Sequence, residues 1–346
     1  MVQLDVSYDT KTFEVPPAFD ETGRLTSDCA RQARQILDEH GFVLIPDLLS
    51  DEEAAKGLDF IRDAIDNPNR ETGAFASESD IRHRRRDFCP LPSAKPVLSY
   101  AALICQRLEE VLLEYCGRSR QILEISTLTS YFGSSHQYIH RDPEGVLCMF
   151  VAVDDVSPEQ GGTVFVPGTH NYSGAEYAHG RKANRLMELY QAQANFRILR
   201  YNLINLWRIR KLAEPSIPWR ELRARVFSLQ TDLHQPNLAR FLFGGSAFTI
   251  LNFAPHKIFS FLRYRKIIKT AYRLVQAAPK KGTVVLYRSD MLHAGPDNRS
   301  PIPRYFFNLN IARDIIFADR WRNGYSPHRS LLAEPISLGD LLEEQN

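Results

Sequence analysis

A mainly β fold of the α+β class, a jelly roll (double-stranded β-helix) with N-terminal helices and a helical insertion, is predicted from three observations. Short β-branched or aromatic runs, bounded by Gly, Pro and Asp, recur in two groups at 122–166 and 283–311. Helical periodicity dominates the chain before them. A long basic stretch separates the two groups, so it reads as an insertion in the β domain and not as a separate unit.

The elements follow in order. Ser27 or Asp28 can cap a helix running to about Glu39, and GFVLIPDLLS then reads as a short strand and loop. Ser50-Asp51-Glu52-Glu53 has the Ser-x-x-Glu form of a capping box and starts a second helix. Residues 78–95 are polar, basic and Pro-containing, and read as a loop. Val97 to Tyr115 is helical, with Gly117 as its cap. Strands are expected at Ile122–Phe132, Val146–Val153, Thr163–Val166, Thr283–Tyr287 and Tyr305–Ile311. The expected organisation is a single domain over 1–346, with a helical segment at 25–117 and a basic helical insertion at 173–280.

With 44% apolar and 24% charged residues, the 346-residue chain has the composition of a globular protein with a sizeable core. Cys29, Cys89, Cys105, Cys116 and Cys148 are odd in number and scattered, which excludes a disulfide framework and fits a reducing compartment. The first residues carry Asp5, Asp9 and Glu14 and no apolar run of signal-peptide type. The longest uncharged stretch, Phe241 to Pro255, is broken by Gly244 and Gly245 and is shorter than the ~20 residues of a membrane span. A cytoplasmic location is expected.

Charge is unevenly spread. Residues 181–281 hold 20 Lys and Arg against 4 Asp and Glu, a balance of +16 that leaves −14 for the rest of the chain. Helical spacing puts Arg197, Arg200, Arg208 and Lys211 on one face, and Leu199, Leu203 and Leu206 on the other with Trp207 at its edge. Lys257, Arg263, Arg265, Lys266, Lys269 and Arg273 follow an apolar stretch. Two readings stand: a lid over the active site, or a surface for an anionic membrane or a large anionic substrate. Nucleic acid is not expected, because no binding module is recognisable and the net charge is +2.

The chemistry concentrates in four residues. His140 and Asp142 stand two apart after a strand, so one extended segment can bring both side chains to one metal. His293 follows another strand, and Arg304 comes eleven residues later. Two imidazoles and a carboxylate are the set that suits Fe(II) in O2-activating enzymes, with the opposite positions left open. The planar guanidinium of Arg304 can grip a carboxylate through two parallel hydrogen bonds. Other residues read as structural: Tyr131 as core, His136 as pointing away from the site, His170 as a turn residue, Arg288 and Asp290 as holding the His293 loop. The run Arg82 to Arg86 reads as a solvated cationic stretch or a contact for an anionic substrate group.

The sequence resembles the phytanoyl-CoA dioxygenase family of Fe(II)/2-oxoglutarate oxygenases. The resemblance rests on Gln137, His140 and Asp142 in a Q-x-x-H-x-D core, on the stretch Gly161 to His170, on His293 with Arg304 eleven residues on, and on HGFVLIPDLLSDEEA. It covers roughly 35–172 and 280–313. It implies that His140, Asp142 and His293 are the catalytic iron ligands and that Arg304 holds the distal carboxylate of 2-oxoglutarate. Gln137 becomes a contact either of the iron ligands or of the co-substrate, and Thr163 reads as either a hydrogen-bond partner of the co-substrate carboxylate or a structural strand residue. The implied cofactors are Fe(II), 2-oxoglutarate as co-substrate, and O2. Asp142 keeps the carboxylate that halogenating relatives lack, so hydroxylation of an aliphatic C–H bond is expected, with release of succinate and CO2. The expected substrate is an anionic, lipid-like or secondary-metabolite molecule, with a peripheral membrane contact through the basic insertion. The competing reading is a non-catalytic jelly-roll protein that docks on a membrane or an anionic partner.

Overall fold

A computed structural model describes residues 5–67, 86–134, 136–142, 145–172, most of 190–205, 272–313 and 336–343. Two sheets face each other, with helices packed on the outer face of the larger one. Strands in chain order are β1 (Val6–Ser7), β2 (Phe42–Ile45), β3 (Arg86–Pro90), β4 (Gln121–Ser130), β5 (Val146–Ala152) and β6 (Thr163–Phe165). They continue with β7 (Leu274–Ala277), β8 (Val284–Arg288), β9 (His293–Ala294), β10 (Arg304–Ala312) and β11 (Ile336–Ser337). The larger sheet runs β11-β4-β10-β5-β8-β2, with β3 also paired to β4. The smaller runs β1-β7-β6-β9, and a bridge between His140 and His293 adds the segment carrying His140 to its end.

The helices are α1 (Ser27–His40), α2 (Asp51–Asp66), α3 (Lys95–Arg107), α4 (Glu109–Tyr115) and α5 (Leu338–Glu343). Cys29, Ala30, Ala33 and Leu37 form the buried stripe of α1, which ends at Gly41. The capping box of α2 forms as expected, with the Glu53 N–H donating to Ser50 Oγ and the Ser50 N–H donating to Glu53. The helix expected over Val97–Tyr115 is two helices, α3 and α4, meeting at Leu108.

Alternation along the strands sorts the two cores. On β10, Phe307, Leu309 and Ile311 join the helices in the outer core, while Phe306 joins Phe42, Phe150, Phe165 and Tyr287 between the sheets. Two expectations shift. Residues 86–90, inside the stretch read as a loop, form an edge strand on β4; Pro90 fits there because it ends the strand. Residues Leu274–Ala277, inside the expected insertion, are β7 of the smaller sheet.

Within 190–205 the described residues are helical. Arg197 and Arg200 are exposed as expected, but the buried face carries Ala194, Asn195, Ile198, Tyr201 and Asn202, and Leu203 is exposed. Arg208, Lys211 and the basic cluster from Lys257 to Lys269 lie outside the described residues, as do Arg82 to Arg85. Among the described residues, no helix is long and apolar enough to cross a membrane.

Candidate active site

His140, Asp142 and His293 converge, with one ligand atom from each lying within 4.8 Å of the others. Their placement follows from strand pairing. The segment 137–140 runs antiparallel to β9, with His140 N–H donating to the His293 carbonyl at 3.0 Å and the reverse bond at 2.9 Å. Asp142 N–H then donates to Ser289 O at 2.9 Å, which turns the carboxylate back toward the two rings.

Both imidazoles are oriented through their far nitrogens. His140 Nδ1 lies 2.8 Å from the Tyr138 carbonyl and His293 Nδ1 lies 3.0 Å from the Met291 carbonyl. A carbonyl can only accept, so both Nδ1 atoms carry the proton and both Nε2 lone pairs are free for a metal. His293 Nε2 is 3.4 Å from Asp142 Oδ2, and His140 Nε2 is 4.0 Å from Asp142 Oδ1. Ligands at right angles, each about 2.1 Å from one ion, stand roughly 3 Å apart, so small adjustments close this set on a metal. Burial would raise the Asp142 carboxyl, but His293 and His140 outweigh it and hold its pKa down. Burial, then the neighbouring His293, push His140 down to about 4, which favours the neutral imidazole a metal needs. On His293 burial acts the same way, yet the charge and hydrogen bond of Asp142 prevail and raise its pKa.

Arg304 opens β10 on the face it shares with Phe306, and its side chain is almost wholly buried. Nη1 donates to Gly162 O at 2.6 Å, Nε has no hydrogen-bond partner, and no carboxylate pairs with it among the described residues. The close approach depends on glycine. Gly162 has φ +62°, and a Cβ there would collide with the Ala277 carbonyl. Burial and the positive charge of Arg86 push the Arg304 pKa down, with Asp297 opposing them. A buried, carbonyl-bound cation in this state fits an incoming carboxylate.

Gln137 sits at the joint between the two halves. Its N–H donates to Gly295 O at 2.8 Å and its Oε1 accepts from Gly295 N–H at 2.5 Å, so it ties the His140 segment to the end of β9. Thr163 is buried at the start of β6, beside the Gly162 carbonyl that Arg304 holds, on the face it shares with Phe165.

Other residues singled out in the sequence, Arg86 from the cationic run and His136, His170, Arg288 and Asp290 read as structural, also have definite places. Arg86 is buried, pairs across Ser130 from Arg304, and donates from Nη2 to Gly295 O at 2.9 Å and Pro296 O at 2.5 Å. His136 is buried with Nδ1 on the Gln137 carbonyl and Nε2 without a hydrogen bond. His170 donates from Nε2 to Asp38 O at 2.9 Å and packs under Gly41, a structural tie as its PGTH context suggested. Arg288 and Asp290 pair at 2.8 Å before His293.

Residues that sequence reading missed lie on the inner faces of β4 and β10. Glu124, Ser126, Asn308 and Asn310 form a polar patch, and the charge of Asp142 reaches its Glu124. Polar residues at alternate strand positions were the available signal.

Residues 37–198 match the family model described as phytanoyl-CoA dioxygenase (PhyH). That span holds His140 and Asp142, and the fold adds His293 and Arg304 from beyond it. The search of curated proteins gives no match. Among solved structures, the non-haem α-ketoglutarate-dependent carbocyclase SnoK from nogalamycin biosynthesis is 14% identical, covering 85% of this chain and 87% of its own, at a TM-score of 0.47. HygX from Streptomyces hygroscopicus, solved with nickel, 2-oxoglutarate and hygromycin B bound, is 15% identical, covering 81% and 86%, at 0.43. With the match to that family model over residues 37–198 and the grouping of His140, Asp142 and His293 in place, the chain is a 2-oxoglutarate-dependent non-haem iron enzyme.

Proposed function

We propose that the protein hydroxylates an aliphatic C–H bond of a small-molecule substrate, with His140, Asp142 and His293 as iron ligands and Arg304 as the anchor of 2-oxoglutarate. One observation carries the reading most. Both imidazoles are locked by carbonyls at Nδ1, so two Nε2 lone pairs and one carboxylate face a common point. When bound, Fe(II) and 2-oxoglutarate supply O2-dependent oxidation of a C–H bond, with succinate and CO2 as co-products.

The chain's own residues then have distinct tasks. Tyr138 O and Met291 O fix the ring orientation of the two histidines. Arg304, held by Gly162 O, takes the distal carboxylate of the co-substrate, with Thr163 beside it. Gln137 positions the His140 segment through Gly295. Asp142 supports hydroxylation because it fills with carboxylate a position that halide-transferring chemistry needs vacant.

The basic balance of 181–281 supports a substrate with an anionic or lipid-borne portion, held away from the reacting carbon. Liposome flotation with and without anionic lipid tests that part: flotation only on anionic vesicles supports it, and none on either removes it. The central reading is tested by succinate formation and by anaerobic Fe(II) titration with 2-oxoglutarate, following the visible charge-transfer band. His140→Ala and Asp142→Ala should abolish both, and activity that survives either substitution overturns the ligand assignment.

A further inference from the structure

The inner face of the larger sheet carries two chemically opposite groups of side chains, one at each end of β10. At one, Arg304, Arg86 and His136 present cationic and neutral nitrogen groups. At the other, Glu124 and Ser126 of β4 face Asn310 and Asn308 of β10, each pair in register. Four and six residues separate Asn308 and Asn310 from Arg304, about 13 and 20 Å at the usual strand rise. The iron-ligand triad lies alongside the second end. Asp142 acts electrostatically on Glu124, and also on Cys148 and Tyr287, which continue the Glu124–Asn310 row across the sheet. The Tyr287 ring stands 5.1 Å from that of His293.

With Glu124 ionised, as it is above the pKa of about 7 to which burial raises it, the hydrogen bonds at this end have one direction. Ser126 Oγ lies 2.6 Å from Glu124 Oε1 and gives its proton to the carboxylate. Having spent that proton, Ser126 Oγ must accept from Asn308 Nδ2, 3.5 Å away. Asn310 likewise bonds to Glu124 through its side chain, and against a carboxylate its amide can only donate. Both amides are therefore turned so that Oδ1 is free. Neither Asn308 Oδ1 nor Asn310 Oδ1 has a partner, and both atoms are buried; Asn308 as a whole is 3% exposed. A buried acceptor without a donor costs about 1–3 kcal/mol, and here two of them flank one buried carboxylate. An arrangement of this kind is retained where a ligand completes it.

Co-substrate cannot do so. 2-Oxoglutarate is a dianion with no donor to offer, and two amide oxygens above a carboxylate repel it. The free acceptors face the other molecule the centre must hold. We propose that Asn308 and Asn310, oriented by Glu124, are the substrate subsite and take a hydrogen-bond-donating end of the substrate, a hydroxyl or ammonium group, beside the reacting carbon. This rests on the oxygenase reading of the His140, Asp142 and His293 centre. It adds to that reading the chemistry of the substrate's reacting end: a polyol or amino alcohol portion there, and not an anionic or purely aliphatic one.

The test uses paired probes on the full chain. Cyclitols, methyl glycosides and amino alcohols are each compared with their O-methylated or N-acylated partner, which lacks the donor. Binding is read twice: by perturbation of the visible band of the anaerobic Fe(II)–2-oxoglutarate complex, and by ligand-observed saturation-transfer NMR on metal-free protein. Donor-bearing probes should bind, and their blocked partners should bind at least ~10-fold more weakly. Asn308→Leu and Asn310→Leu, near-isosteric changes, should each weaken the donor-bearing probe by a similar factor while the band of the 2-oxoglutarate complex stays intact. Equal binding of blocked and free partners, or no binding of any donor-bearing probe, overturns the subsite, as do Leu variants that bind as the native protein does. The paired-probe comparison needs no variant, so it stands if a substitution impairs folding. A wild-type protein that never develops the band sinks the oxygenase reading instead, and the NMR arm still decides on the subsite.

Discussion

Asn195 hydrogen-bonds both backbone groups of Ile139, accepting from its N–H at 2.7 Å and donating to its carbonyl at 3.1 Å. Seven residues on, two helical turns along the same face, Asn202 repeats the pattern on His136, accepting from its N–H at 3.2 Å and donating to its carbonyl at 2.8 Å. The segment 136–140 has β9 on one side through His293 and Gly295, and these two amides act as its neighbour on the other. An edge that would expose unpaired backbone beside His140 is closed by side chains from a helix. Asn195→Leu strands the buried Ile139 N–H, while Gln191 Nε2 at 3.1 Å keeps the carbonyl paired, a loss of about 1–3 kcal/mol. The expected outcome is a thermal midpoint lower by several degrees, with Fe(II) or Co(II) affinity weakened roughly 10-fold or more through loss of His140 positioning. Calorimetry and metal titration check it, and unchanged metal affinity would show that the clamp does not reach the ligands.

Arg304 is buried, bonded to Gly162 O, and stands 5.3 Å from the Phe306 ring centroid. These contacts, all from the chain itself, hold the guanidinium in place and preorganise it for the carboxylate it is proposed to bind. Arg304→Ala should raise the 2-oxoglutarate KM about 100-fold with a smaller effect on substrate binding, since truncating one partner of a buried charge pair costs several kcal/mol. Arg304→Lys should recover part of this, because it restores charge without the planar fork. Steady-state kinetics with varied 2-oxoglutarate checks both, and an unchanged KM in Arg304→Ala would contradict the assigned role.

The parts of this centre set by local spacing could be read from the chain. His140 and Asp142 share a strand segment, Ser50 and Glu53 close a cap, and the eleven-residue step from His293 to Arg304 fits one turn between strands. What escaped reading depends on register between distant segments. Glu124 and Ser126 look like routine members of ILEISTLTS until pairing with Asn310 and Asn308 shows a polar patch. Arg86 was hidden in a cationic run, because nothing local distinguishes a strand-edge arginine turned inward from the three other arginines beside it. Asn195 and Asn202 sit in a helix whose basic and leucine content drew attention to the wrong faces. Leu203 is exposed there, while the asparagines are buried.

Gly295 is where the two arginine-bearing strands and the His140 segment crowd together. A Cβ at this position would collide with Arg86 Nη1 and with Gln137 Oε1. Gly295→Ala must therefore displace Arg86, Gln137 or β9, and each holds part of the centre. We expect a protein that remains folded, since the clash is with side-chain ends, but with weaker metal affinity and a raised 2-oxoglutarate KM together. Gly168→Ala, which meets nothing at its Cβ but forces a residue other than glycine to hold φ +77°, serves as the control for backbone strain alone: it should lower stability and leave both constants close to native. An unaltered Gly295→Ala enzyme would mean that Arg86 and Gln137 are not needed where they stand.

Acidification should destabilise the metal-free protein through buried histidines. Burial pushes both His136 and His170 down to about 4, whereas an unfolded histidine takes up its proton near pH ~6.5. Between those values the unfolded chain binds more protons, so stability present in full above ~6.5 is lost as pH falls toward 4. Among the proposed iron ligands, His140 is lowered and His293 raised, so the two oppose each other. Glu124 also runs the opposite way. Burial raises it to about 7, so the folded chain binds more protons between there and the ordinary carboxyl range of about 4.3, and its contribution grows on acidification. Two histidines against one carboxyl leave a net fall, expected as a thermal midpoint a few degrees lower at pH 5 than at pH 7. Replacing Glu124 with Gln removes the opposing contribution and should steepen the fall, while His170→Gln should make it shallower. Calorimetry on the three proteins at both pH values separates these signs, and a Glu124→Gln protein with a flatter profile than the native one would overturn the assignment of that buried proton.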